Sequence, residues 1–137
     1  MVLQHLNWLA VAVSGLAYFM IGAVWFNQNV FGTAWMKGHN ISGPTEEEKK
    51  KMPMMMLVTF LCCMVAAVCM GYFIHALGIT NWMMGAKIGL IAGCGFAGVA
   101  IALNHMYTRK SLGLTIIDAG YHVAGLVVCG VILSAWH

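Results

Sequence analysis

The chain has 137 residues, of which 61% are hydrophobic and 8% charged, and its formal net charge is +3. So little charge excludes a soluble globular domain, in which about 25% of residues are charged. The small, scattered positive excess excludes a nucleic-acid surface. The apolar residues gather in blocks of the roughly 20 residues that a helix needs to cross about 30 Å of hydrocarbon, so the composition reads as an integral membrane protein.

The first block runs from about His5 to Asn29. It has no basic start, too long an apolar run and no small-residue cleavage site, and so reads as a span rather than a signal peptide. Gly15 and Gly22 lie within it, and Asn27 and Gln28 lie near its end. A polar connection comes next over about residues 32–52, carrying Lys37 and the run "SGPTEEEKKK". Ser42 and Thr45 are candidate helix caps there, and Glu46 to Glu48 suit a first helical turn. Lys49 to Lys51 lie three and four residues beyond those glutamates, a spacing that permits ion pairs along a helix.

The second block runs from about Pro53 to Leu77, and its Met-rich start, "KMPMMM", suits apolar filling better than copper(I) binding. The third and fourth blocks run from about Trp82 to Tyr107 and from about Leu112 to Trp136. These blocks predict an all-α membrane protein with four transmembrane helices in a compact antiparallel bundle, residues 1–137 forming a single domain. Lys37, Lys49 to Lys51, Arg109 and Lys110 fall in the two connections on one side, whereas Lys87 alone belongs to the other. That bias places the basic connections in the cytoplasm and both termini on the extracytoplasmic side of a bacterial inner membrane. Trp8, Trp35, Trp82 and Trp136 fall near the expected interfaces, as an aromatic belt does.

In the third span Gly85, Gly89, Gly93 and Ala97 recur every four residues and form a small-residue groove for close helix packing. The groove suits a neighbour in the same chain or a second subunit. Gly120, Gly125 and Gly130 form a looser set in the fourth span. Counted along an ideal helix, His105 falls on a different stripe, shared with Lys87, Cys94 and Gly98.

The fourth span carries Asp118, Tyr121 and His122 in an otherwise apolar helix. Asp118 lies about 9 Å in from the basic end, with His122 one turn deeper. Asn27, Asn104 and His105 fall at comparable depths, so a compact bundle is expected to gather all six into one polar cluster. An Asp in mid-span costs about 2.5–3.5 kcal/mol on insertion scales, and a partner, water or a proton must offset that. His122 or Arg109 could pair with an ionised Asp118, whereas Asn104 or His105 could accept from a neutral one. The cluster is either a packing clamp between helices or a ligand or proton site.

The five cysteines, Cys62, Cys63, Cys69, Cys94 and Cys129, form no CxxC pair and read as reduced packing residues. His5, His75 and His137 fall near the outer surface without a metal-binding spacing. No cofactor motif is present, no metal is expected, and no serine or cysteine has a base at a defined spacing.

The segments "LNWLAVAVSGLAYFMIGAVWF", "VFGTAWMK", "LNHMY" and "IDAGYHVAGLVVCGVIL" together make nearly the whole chain resemble the bacterial family named for domain of unknown function 1761. The resemblance implies four hydrophobic spans with Asn-Trp, Phe-Gly-x-x-Trp and Ala-Gly-Tyr-His elements, and it brings no established activity. Relatives more often carry Asn just before the Ala-Gly-Tyr-His element, where this chain has Asp118, an exchange that suits hydrogen bonding better than proton relay. The expected function is that of a small membrane protein without catalytic machinery, acting in the lipid bilayer as a homo-oligomer or as an accessory subunit of another membrane protein. The alternatives are a small transporter or channel using Asp118 and His122, and a membrane protein that binds a cofactor or metal.

Overall fold

The computed structural model describes residues 1–137, and every regular element in it is helical. Four helices are long and apolar enough to cross a membrane: α1 (Trp8–Trp25), α3 (Glu46–Ala76), α4 (Trp82–Tyr107) and α5 (Leu112–Ala135). The short α2 (Thr33–Gly38) lies between α1 and α3.

Each long helix starts where a polar side chain satisfies a free backbone N–H. Asn7 accepts from Ala10 N at 3.1 Å, Asn81 from Met83 N at 2.8 Å and Ser111 from Leu114 N at 3.2 Å. Thr45 and Glu48 form a reciprocal capping box. Helix α3 therefore begins at Glu46 and runs on through Pro53. Ion pairs of Lys49 with Glu46 and of Lys51 with Glu47 line this first stretch. Much of the polar connection that reads as a loop is thus helix.

Three helix ends close in the same way, with one residue in the left-handed region and then a backbone bond that reaches back five residues. Asn40 (φ 55°) ends α2, with Ile41 N donating to Met36 O at 2.8 Å. Gly78 (φ 63°) ends α3 and Arg109 (φ 59°) ends α4, with Ile79 N donating to Ile74 O and Lys110 N to His105 O.

Helix α5 packs against α1, α3 and α4. A Cβ at Gly85 would collide with Gly130 O and Ser134, one at Gly89 with the Leu126 carbonyl, and one at Gly93 with Val123. The glycine groove of α4 is therefore filled by α5 of the same chain. Gly125 admits the ring of Tyr18, and Gly15 admits Met64. Ala10, Val11, Ala67, Met70 and Cys129 are fully enclosed between these helices. Leu16, Val65, Ile91, Phe96 and Ile116 point outward, the disposition that lipid favours. All five cysteines are free thiols.

Two departures from regular helix shape the basic end. After α1 the chain makes a wide turn at Gln28–Gly32, and Gly32 lies so close to Phe26 O and the Asn27 backbone that a side chain there would collide with them. The turn sends α2 back across the end of α5, where Gly38 sits on Leu114. Within α4, residues Gly93–Gly98 form a π turn. A π turn adds about one residue to a turn and retards the residues beyond it by about 100°. On an ideal helix His105 lies about 200° round from Gly85, opposite the groove, but the π turn brings it to about 100°, on the groove side. His105 is accordingly buried, at 7% exposure.

Candidate functional site

At the basic end three elements converge on Asp118. Its Oδ1 accepts from Trp35 Nε1 at 2.8 Å. Its Oδ2 lies 3.2 Å from His39 Nε2, in hydrogen-bonding alignment, and 3.1 Å from His105 Nε2. Trp35 comes from α2, His39 from the residue that caps it, His105 from the retarded end of α4 and Asp118 from α5. His105 Nδ1 is in turn 2.9 Å from Thr115 Oγ1, whose hydroxyl donates to Ser111 O at 3.1 Å. The indole of Trp35 meets Phe26 edge-on at 5.7 Å and the ring of His39 at 4.7 Å. Both carboxylate oxygens thus have nitrogen neighbours, as a carboxylate removed from water requires. The side chain of Asp118 is 16% exposed and that of His39 is 23% exposed, so access runs past His39.

A second polar pair lies one helical turn along α5. His122 Nδ1 bonds the Tyr18 hydroxyl at 2.5 Å. The Tyr121 hydroxyl lies 3.6 Å from Cys63 Sγ and donates to Tyr18 O at 3.5 Å. The rings of Tyr18 and Tyr121 meet edge-on at 5.3 Å.

The six residues that depth alone groups do not form one cluster. Asp118 and His105 come together, and Tyr121 and His122 belong to the second pair. Asn27 is exposed and caps the wide turn by accepting from Asn29 N at 3.0 Å. Asn104 is exposed on the outer side of α4. Arg109 is also exposed and forms no ion pair with Asp118. Sequence reasoning misses His39, a lone histidine in a connection, and assigns Trp35 to an aromatic belt. Trp8, Trp82 and Trp136 are exposed at the other end, whereas Trp35 is turned inward. The only signal for these residues is the Phe-Gly-x-x-Trp element, which contains Gly32 and Trp35. Trp25 gives no signal either, and its Nε1 donates to Ile117 O at 2.9 Å.

Beside the site, a cavity of about 600 Å³ opens between α1, α2 and α3. Phe19, Phe26, Trp35, Tyr121, Met52 and Met56 wall it, with Glu48 and Thr59 as polar groups. A smaller cavity of about 300 Å³ at the opposite end is lined by His5, His75 and His137, among others, and the rings of His5 and His75 stack at 6.1 Å.

A family model matches residues 9–134 and so takes in all of these side chains except the termini. The chain belongs to the family described as protein of unknown function DUF1761. No curated protein and no solved structure matches it. The geometry of this DUF1761 protein therefore carries the functional argument: an apolar chamber and a carboxylate–imidazole site share Trp35 as a common wall.

Proposed function

We propose that this protein resides in the bacterial inner membrane as an accessory protein and holds one chain-like amphiphile of the bilayer, an acyl or isoprenoid chain, at its cytoplasmic end. The observation that carries this reading is the cavity of about 600 Å³ walled by aromatic rings and methionines. That volume falls within the roughly 300–1,000 Å³ of small-molecule sites. Methionine walls adapt to a flexible occupant, while Glu48 and Thr59 offer polar contacts to a headgroup.

The orientation rests on charge: Lys37, Lys49 to Lys51, Arg109 and Lys110 all lie at one end of the bundle, which the positive-inside bias assigns to the cytoplasm. Both termini then lie outside. Gly85 on Gly130, Gly89 on Leu126 and Gly93 on Val123 run in opposite sequence order, which supports an antiparallel bundle. Occupation of that groove by α5 removes the main argument for a seam between copies. A conduction path through Asp118 and His122 gains no support either, since the two side chains turn to different partners.

Native mass spectrometry of the chain extracted gently from its own membrane tests the proposal. The expected spectrum shows 14.9 kDa per chain plus one non-covalent apolar adduct. Ala23→Trp, which fills the cavity, is expected to abolish that adduct while the helical content is kept. A bare chain, or an adduct indifferent to Ala23→Trp, would overturn the reading, and a companion polypeptide in the mass would reassign the accessory role to that partner.

A further inference from the structure

We propose that His39, His105 and Asp118 form a binding site for one divalent first-row transition ion of the zinc type, and that the ion fastens α2 to the bundle. Three donor atoms from three elements, two imidazole nitrogens and one carboxylate oxygen, lie within 4.8 Å of one another. Zinc bonds to nitrogen and oxygen are about 2.0–2.2 Å long, and a tetrahedral angle then sets neighbouring donors about 3.4 Å apart. Asp118 Oδ2 stands 3.1 Å from His105 Nε2 and 3.2 Å from His39 Nε2, so two of the three edges already have nearly that length.

Those distances alone would also suit hydrogen bonds, and the His105 edge separates the two readings. His39 Nε2 aligns with Oδ2 as a hydrogen bond does, but His105 Nε2 approaches to 3.1 Å without that alignment. Its ring direction thus misses the oxygen, as that of an imidazole bound to a cation beside the oxygen would, and the partly exposed His39 ring would turn to share that cation. The hydrogen count agrees. Thr115 donates its hydroxyl hydrogen to Ser111 O and so receives one from His105 Nδ1, which in the neutral imidazole leaves Nε2 with its lone pair. A lone pair set 3.1 Å from a carboxylate oxygen is repulsive unless a proton or a metal lies between them. Metal-bound histidines characteristically have the other ring nitrogen held in this way. Asp118 is held likewise, with Trp35 Nε1 on the oxygen that does not face the imidazoles.

The donor set defines the ion. Two imidazoles disfavour magnesium and calcium, which take oxygen ligands, and the absence of a thiolate from the trio disfavours copper(I). Water reaching the site past the partly exposed His39 would complete the coordination.

The test uses the full chain in detergent, purified without a polyhistidine tag, stripped with EDTA and titrated with zinc alone and with cobalt(II) alone. The expected result is one ion per chain, with a cobalt spectrum of tetrahedral nitrogen and oxygen ligation and no thiolate charge-transfer band. Asp118→Asn and His105→Gln are expected to lose the ion. Thr115→Val, which keeps all three ligands, is expected to bind roughly 10–100-fold more weakly, as loss of a ligand's supporting hydrogen bond does. No ion in the folded wild-type chain would overturn the assignment without recourse to any variant. A thiolate band, or retention by folded Asp118→Asn and His105→Gln with loss on His75→Gln, would also overturn it by moving the ion to the cysteines or to the opposite end.

Discussion

Exchanging glycine for alanine at two positions of α4 gives opposite outcomes if the groove is packed within the chain. At Gly89 the new Cβ would stand 2.7 Å from Val127 Cα and closer still to the Leu126 carbonyl oxygen. Carbon atoms at ease lie about 3.5–4.0 Å apart, so α4 and α5 must separate by about 1 Å. Neither neighbour can yield as a flexible side chain would, because both are backbone. Overpacking of this kind costs about 1–3 kcal/mol. At Gly95, two turns on, nothing lies within 4 Å of the new Cβ. There the exchange removes only the flexibility of glycine and is worth about 0.5–1 kcal/mol in favour of the helix. Unfolding in mixed micelles by increasing dodecyl sulfate, monitored by circular dichroism, measures both. Gly89→Ala is expected to unfold early and Gly95→Ala at or above the wild-type midpoint. Equal midpoints would refute the reasoning. A Gly89→Ala chain that kept its midpoint but changed its assembled mass would show that the groove faces another copy.

Further consequences can be read by the same assay. Ser14 Oγ is fully buried without a hydrogen-bond partner, so Ser14→Ala should stabilise the bundle by about 1 kcal/mol, and a loss would mean that the hydroxyl has a partner after all. Trp35→Phe keeps a ring against Phe26 but removes the donor to Asp118 Oδ1, and it should cost about 1.5–3 kcal/mol and expose residues 33–45 to protease; an unchanged protease pattern would count against the anchoring of α2. Arg109 holds a left-handed backbone with an exposed side chain, so Arg109→Gly should gain about 1 kcal/mol, and a destabilised variant would show that the side chain makes a contact worth more than the strain.

How far the fold is legible depends on which residues are asked. The four apolar helices follow from hydropathy because continuous apolar runs of this length satisfy their own backbone in lipid only as helices, whereas a barrel strand needs an alternating pattern. Asp118 announces itself because a carboxylate in an apolar helix is expensive and needs a partner. The identity of that partner is a different matter. Depth along a helix is linear in residue number, so it gathers Asn27 and Asn104 with Asp118, but depth carries no information about which way a side chain faces. His39 has no periodicity to betray it, because it caps a six-residue helix whose position is fixed by the turn at Gly32 rather than by its own pattern.

His105 is the instructive case, because the sequence singles the residue out and yet assigns it to the wrong face. Counting 3.6 residues per turn places it opposite the glycine groove, and only the π turn at Gly93–Gly98 carries it round to Thr115 and Asp118. Deleting Gly95 should return this turn to a regular α-helix with one residue fewer, and counting about 100° per residue along the shortened helix still sets His105 about 100° from Gly85, in the site. A double-mutant cycle reads that retention directly. In the wild-type chain Thr115→Val breaks the 2.9 Å contact with His105 Nδ1 and should cost about 0.5–1.5 kcal/mol. In the deletion chain the contact is still there to be lost, and the same substitution should cost as much. A coupling as large as that cost would mean that His105 leaves Thr115 when the extra residue goes, and the phase argument would fall with it.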